Sequence, residues 1–183
     1  MGANQMTHVA LLRGINVGGN NPLPMKDLAQ IFENAGCRQV RTYIQSGNVI
    51  FDAPEHSREI AQMVSAKVEK RFGYKIPVVV RTWEQMRGVI RDNPFLAAGA
   101  DQKMLHVYFL AAAPAARAIA GLDSSRSAPD AFAVRGQEIY LHLPRGMART
   151  KLTNAYFDAK LSTICTARNW ATVLKLAAMM EST

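Results

Sequence analysis

The sequence predicts an α+β protein of two tandem ferredoxin-like (split βαβ) units with antiparallel or mixed sheets, followed by C-terminal helices. Three observations predict it. Short runs of β-branched and aromatic residues alternate with stretches of helical spacing. In the first half these read strand, helix, hairpin, helix, strand, the order of a split βαβ unit. The second half begins the same order again, which points to an internal duplication. The expected division is residues 6–95, a first unit with a linking helix, and residues 101–183, a second unit with the closing helices.

Each element has its own justification. Thr7 to Arg13 is an apolar run ending at Gly14, a buried strand followed by a turn that glycine permits. Pro22-Leu23-Pro24 leads into Met25, Leu28, Ala29, Ile31, Phe32 and Ala35 at helical spacing, with Gly36 as the stop. Gln39 to Asp52 places Val40, Tyr43, Ile44, Val49, Ile50 and Phe51 around Ser46-Gly47-Asn48, a hairpin pattern. Glu55 to Phe72 returns to helical spacing through Ile60, Met63, Val64 and Val68, closed by Gly73. Ile76 to Val80 is a strand whose Pro77 favours its start or a sheet edge.

Trp83 to Arg91 reads as a linking helix stopped by Asn93-Pro94, and the Ala/Gly-rich Ala97 to Ala100 as the unit boundary. Met104 to Leu110 is a strand, Pro114 to Gly121 a helix, and Ala131 to Leu143 a hairpin turning at Arg135-Gly136-Gln137. The two hairpins match at an offset of 89, with Tyr43 on Phe132, Gly47 on Gly136 and Phe51 on Tyr140. After Pro144-Arg145-Gly146 only helix patterns follow, at Leu152 to Leu161 and Ala171 to Met179, so no final strand is expected in the second unit.

Composition narrows the function classes. With 49% hydrophobic and 20% charged residues among 183, the chain is an ordinary globular protein, neither collagen-like nor disordered. No apolar run approaches the roughly 20 residues that span a bilayer, and the N-terminus has neither the charged nor the apolar region of a secretory signal. Met6 reads as a natural start, with Met1 to Gln5 an extension. Cys37 and Cys165 lie too far apart in sequence for a local metal motif and read as buried free thiols of a reducing compartment, so a cytoplasmic location is expected. His8, His56, His106 and His142 show no metal-ligand spacing, and no cofactor or metal is predicted. The net charge of +8 favours anionic partners; Arg145 to Lys175 alone holds six basic residues against Asp158.

Three segments have the chemistry to hold an anion. Arg13-Gly-Ile-Asn16-Val-Gly-Gly19-Asn-Asn21 is a glycine-rich loop before a helix, where backbone N–H groups and the helix dipole favour negative charge. Asn20 and Asn21 stand where a phosphate loop needs Lys and Ser or Thr, which argues against a nucleoside triphosphatase. Gln45-Ser46-Gly47-Asn48 offers two amides at a hairpin tip, although such residues are also ordinary turn chemistry. Arg149, Lys151 and Asn154 start a helix, where cations oppose the dipole, and Arg168-Asn169-Trp170 adds a guanidinium, an amide and a ring.

Taken together, Arg13-Gly-Ile-Asn-Val-Gly-Gly19, Tyr43-Ile-Gln-Ser-Gly-Asn48, Asn93-Pro-Phe95, Lys151-Leu-Thr-Asn154 and Arg168-Asn-Trp170 resemble the bacterial family called domain of unknown function 1697. The resemblance runs from about Thr7 to Met179 and implies a cytoplasmic α+β protein of two ferredoxin-like units. It implies no reaction.

The expected function is therefore a basic polar pocket for a phosphate-bearing ligand, a nucleotide or nucleic acid, held by Arg13, Asn16, Gln45, Ser46, Asn48, Lys151, Asn154, Arg168, Asn169 and Trp170. Two alternatives stay open: a transferase or hydrolase acting on an anionic small molecule through the same pocket, and a ligand-free structural or regulatory module. Neither an acid and base pair nor a nucleophile elbow is present to name catalytic residues.

Overall fold

The computed structural model describes residues 7–53 and 59–181. The N-terminal Met1 to Gln5, the helix start expected at Glu55, and His56 lie outside these residues. The fold is mixed α+β with two four-stranded antiparallel sheets. The chain divides into two units, Met1–Arg87 with Leu176–Thr183, and Gly88–Lys175.

Unit 1 runs β1 (Thr7–Leu12), α1 (Met25–Glu33), β2 (Arg38–Tyr43), β3 (Asn48–Asp52), α2 (Ile60–Phe72) and β4 (Val78–Thr82), with strand order β2-β3-β1-β4. Helices α1 and α2 present Leu28, Ile31, Phe32, Val64 and Val68 to Ala10, Leu12, Val49 and Phe51 of the sheet. As Pro77 foretells, β4 is an edge strand that begins one residue later. Strand β2 is bulged: Arg38 pairs with Asp52 and Arg41 with Ile50, and Gln39 takes φ +50° in the extra residue's place.

Helix α3 (Trp83–Arg91) follows β4 at once. A capping box starts it, with Thr82 N–H donating to Gln85 Oε1 (2.8 Å) and Gln85 N–H to Thr82 Oγ1 (3.2 Å). Asn93 does more than end it: its Oδ1 accepts from the Phe95 and Leu96 N–H groups and so caps the short α4 (Pro94–Ala97).

Unit 2 runs β5 (Leu105–Leu110), α5 (Ala116–Ala120), β6 (Ala131–Arg135), β7 (Glu138–His142), α6 (Asn154–Leu161) and β8 (Cys165–Asn169), with order β6-β7-β5-β8. Helix α7 (Trp170–Glu181) closes the chain. The core gathers Tyr108, Leu110, Leu141, Leu152, Phe157 and Leu161. Phe157 meets Tyr108 and Phe132 edge-on at 5.5 Å each.

The expectation that unit 2 lacks a final strand is corrected by β8, which pairs with β5 from His106↔Asn169 to Leu110↔Cys165. Cys-Thr-Ala-Arg-Asn has no β-branched run and no large apolar side chain, so tertiary pairing, not local propensity, makes it a strand.

Candidate functional site

In unit 1 the glycine-rich loop is held by side-chain hydrogen bonds. Asn16, at φ +54°, donates from Nδ2 to the carbonyls of Leu23 (2.8 Å) and Gln45 (2.9 Å) and accepts the Leu23 N–H on Oδ1 (2.7 Å). Asn21 Nδ2 reaches the Gly14 carbonyl at 2.8 Å. The loop and the hairpin tip are therefore one assembly. Its amides, however, are spent inward. Asn48 is fully buried, with Nδ2 on the Tyr43 carbonyl (3.1 Å) and Ser46 Oγ (3.2 Å). Gln45 is exposed, while Arg13 and Ser46 are half-buried.

In unit 2 most of the predicted donors also serve the fold. Asn154 Nδ2 donates to the Cys165 carbonyl at 2.9 Å, and Asn169 Oδ1 caps α7 by accepting from Thr172 N–H at 2.8 Å. Trp170 is 1% exposed, so its ring is a core group with no face for a ligand to stack on. Arg168 is buried on β8, where its Nη1 donates to Thr166 Oγ1 (3.0 Å) and the Ala167 carbonyl (2.7 Å). Burial pulls its guanidinium down to about 10, since desolvation disfavours the charged form.

Lys151 is different. Its side chain is exposed, and its backbone is fixed by Lys151 N–H donating to Ser127 Oγ (2.9 Å) and by its carbonyl accepting from Arg126 Nε (3.0 Å). Ser127 also donates to Asp130 Oδ2 at 2.7 Å and lies 3.3 Å from Thr150 Oγ1. Arg145 Nη2 donates to the Ala128 carbonyl. Residues 126–130 and 145–151 are thus two cross-linked loops that carry Arg126, Arg145, Arg149 and Lys151, all exposed. Arg126 additionally lies 4.2 Å from the Tyr156 ring centroid. Among the described residues none of these four cations forms an ion pair. No group of three or more His, Cys, Asp or Glu side chains that could hold a metal ion occurs among the described residues. No helix there is long and apolar enough to cross a membrane.

Residues 6–140 match the family described as "Protein of unknown function (DUF1697)". The chain belongs to the DUF1697 family. A structural neighbour of this DUF1697 protein is the conserved bacterial protein SP0830 from Streptococcus pneumoniae, at TM-score 0.74 and 18% identity, covering 96% of this chain and 99% of that one. At that identity the likeness shows the fold. No protein with a curated description matches.

Two features of the DUF1697 chain escape the sequence reading. Arg126 lies 25 positions from Lys151, and only the Ser-Arg-Ser-Ala-Pro turn brings it to the basic loop. The second feature is Arg81, buried on β4 and donating to the Val80 carbonyl (3.0 Å) just as Arg168 donates to the Ala167 carbonyl. The visible sign was the echo of Arg81-Thr82-Trp83 in Arg168-Asn169-Trp170.

Proposed function

We propose that the protein binds a phosphate-bearing ligand, a nucleotide or a nucleic-acid segment, on the basic loops of unit 2. One observation carries this reading: four exposed cations stand on two hydrogen-bonded loops with no carboxylate in ion-pair contact with any of them among the described residues, although the charge of Arg126 reaches Asp123. Like charges fixed near one another repel, and an anion relieves that repulsion. Arg126 and Arg145 supply guanidinium forks, and Arg149 and Lys151 add charge. Of the other predicted ligand groups we assign Asn16, Asn48, Asn154, Asn169, Arg168 and Trp170 to the fold.

The test is a thermal-shift titration of the full chain with ATP and with a single-stranded oligonucleotide at rising salt. Binding to the folded state raises the apparent midpoint. The gain falls as salt rises, and Arg149→Ala with Lys151→Ala lowers the log–log salt slope for the oligonucleotide by about 1.4. No midpoint shift with either probe, or one that salt leaves unchanged, overturns the reading.

We further read each unit as ferredoxin-like, the chain as a duplication divided at residues 6–95 and 101–183, and its compartment as the cytoplasm. The shared β-α-β-β-α-β order, the matching strand orders and the repeated Arg-x-Trp support the first two. The buried free thiols of Cys37 and Cys165 support the last.

A further inference from the structure

The edges of the two sheets differ at one matched position. Arg13 N–H donates to the Pro77 carbonyl (3.1 Å), so Pro77, Val79 and Arg81 turn their backbone groups toward β1. Val78, Val80 and Thr82 therefore turn theirs outward. In unit 2, Ala111 N–H donates to the Ile164 carbonyl (2.8 Å), so Cys165, Ala167 and Asn169 face outward from β8. An unpaired edge group is a template for another strand, and proteins commonly cover it.

Unit 2 covers its edge with side chains. Cys165 N–H donates to Asp158 Oδ1 and its carbonyl accepts from Asn154 Nδ2, both at 2.9 Å. One carboxylate and one amide, four residues apart on α6, thus occupy the places that a neighbouring strand's peptide groups would take. The Ala167 carbonyl is filled by Arg168. Unit 1 covers only the far part of its edge, where Arg81 fills the Val80 carbonyl and Gln85 the Thr82 N–H.

Val78 is the counterpart of Cys165: it pairs with Leu12, the last residue of β1, as Cys165 pairs with Leu110, the last of β5. Ser65 and Glu69 stand as far from the end of α2 as Asn154 and Asp158 stand from the end of α6. Yet Ser65 donates to the Ile76 carbonyl (2.8 Å) and Glu69 turns to Lys75 (3.7 Å). Neither reaches Val78, whose N–H and carbonyl have no partner among the described residues. Beside them lies a cleft of about 340 Å³ lined by Ala61, Gln62, Ser65, Ala66, Glu69 and Val78.

We propose that this cleft, between α2 and the open end of β4, accepts an extended peptide segment that adds to the sheet edge at Val78. The chemistry of the occupant is given by unit 2: an acceptor facing the Val78 N–H and a donor facing its carbonyl, at β spacing, which one residue of an extended backbone supplies. The lining of Ala61, Ser65 and Ala66 admits a small side chain next to that residue. This inference is independent of the anion site.

The experiment follows backbone amide signals of the labelled full chain by NMR during titration with a blocked pentapeptide of alternating threonine and valine with alanine at its centre. Saturable shifts are expected at Val78 and Val80. Ala66→Phe, an exposed helix position that fills the cleft, weakens binding at least tenfold without moving Tm. Methylating the nitrogen of the central alanine, which removes the donor facing Val78, does the same. No shift at Val78, or shifts that neither change affects, overturns the proposal. Shifts of the same amides with protein concentration alone mean that a second copy takes the edge, and they overturn it as well.

Discussion

Gly47 shows how single residues fix the tip of the first hairpin. Its φ is +81°, the Leu12 N–H donates to its carbonyl at 2.8 Å, and a Cβ added there stands 2.8 Å from Leu12 Cβ. Gly47→Ala therefore combines backbone strain with a clash against core atoms and costs about 2–4 kcal/mol, read from urea unfolding. His106 provides a second test. Burial holds its imidazole below the ordinary value of 6.5, against a weaker opposing hydrogen bond with Met104, and its Nδ1 is buried without a partner. The unfolded chain takes up this proton near pH 6.5 while the folded chain does so only at lower pH. Stability is then lost as pH falls below 6.5. His106→Leu flattens that part of the pH dependence relative to the parent, measured as the urea midpoint between pH 7.5 and 5. At this scale the sequence identified the residues of the loop and tip but not the direction of their side chains. Asn16 and Asn48 are as suited to satisfying buried backbone as to meeting a ligand, and only the positions of the Leu23, Gln45 and Tyr43 carbonyls decide which they do.

Among the elements, β8 depends most on help from outside itself. Asp158→Ala leaves the Cys165 N–H, in a fully buried residue, without its acceptor and costs about 1–3 kcal/mol. Thr153→Ala, which removes the α6 cap on the Tyr156 N–H, costs about 1 kcal/mol. Both are measurable by chemical denaturation, and an Asp158 effect no larger than that of a neutral surface change such as Lys160→Ala contradicts the role given to it. The same dependence explains which elements were legible. Both hairpins and helices α1 and α3 carry their periodicity and stop residues in the chain itself. Strand β8 does not, since its partners are β5 and two side chains of α6. The capping role of Asn93 was masked because Asn-Pro reads equally well as the end of one helix and the start of the next.

For the whole molecule, the excess of positive charge is concentrated. Arg145 to Lys175 holds six of the 22 basic residues against one acid, Asp158, and Arg126 joins that group through the fold. Reversing charge at Arg145 and Lys151 to Glu lowers affinity for an anionic ligand far more than the same change at Lys70 and Lys75. Oligonucleotide titration of the two variants at equal salt makes the comparison. The α+β class and the order of elements from β1 to β4 followed from the sequence because pattern and turn residues are local. The convergence of Arg126 on Lys151 did not, because it depends on hydrogen bonds between two irregular loops.

The division of the chain has a consequence for how it is made. Unit 1 includes the segment from Leu176 onward, and Arg41 of β2 donates through Nη2 to the Met179 carbonyl at 2.7 Å. Unit 2 is continuous, so all of its residues have been synthesised before the last turns of α7 emerge. During translation Arg41 is therefore made long before its acceptor, and that link within unit 1 closes only after unit 2 has been synthesised. A chain stopped after Lys175 loses hydrogen-exchange protection around Arg41 in β2 while β5 and β7 keep theirs.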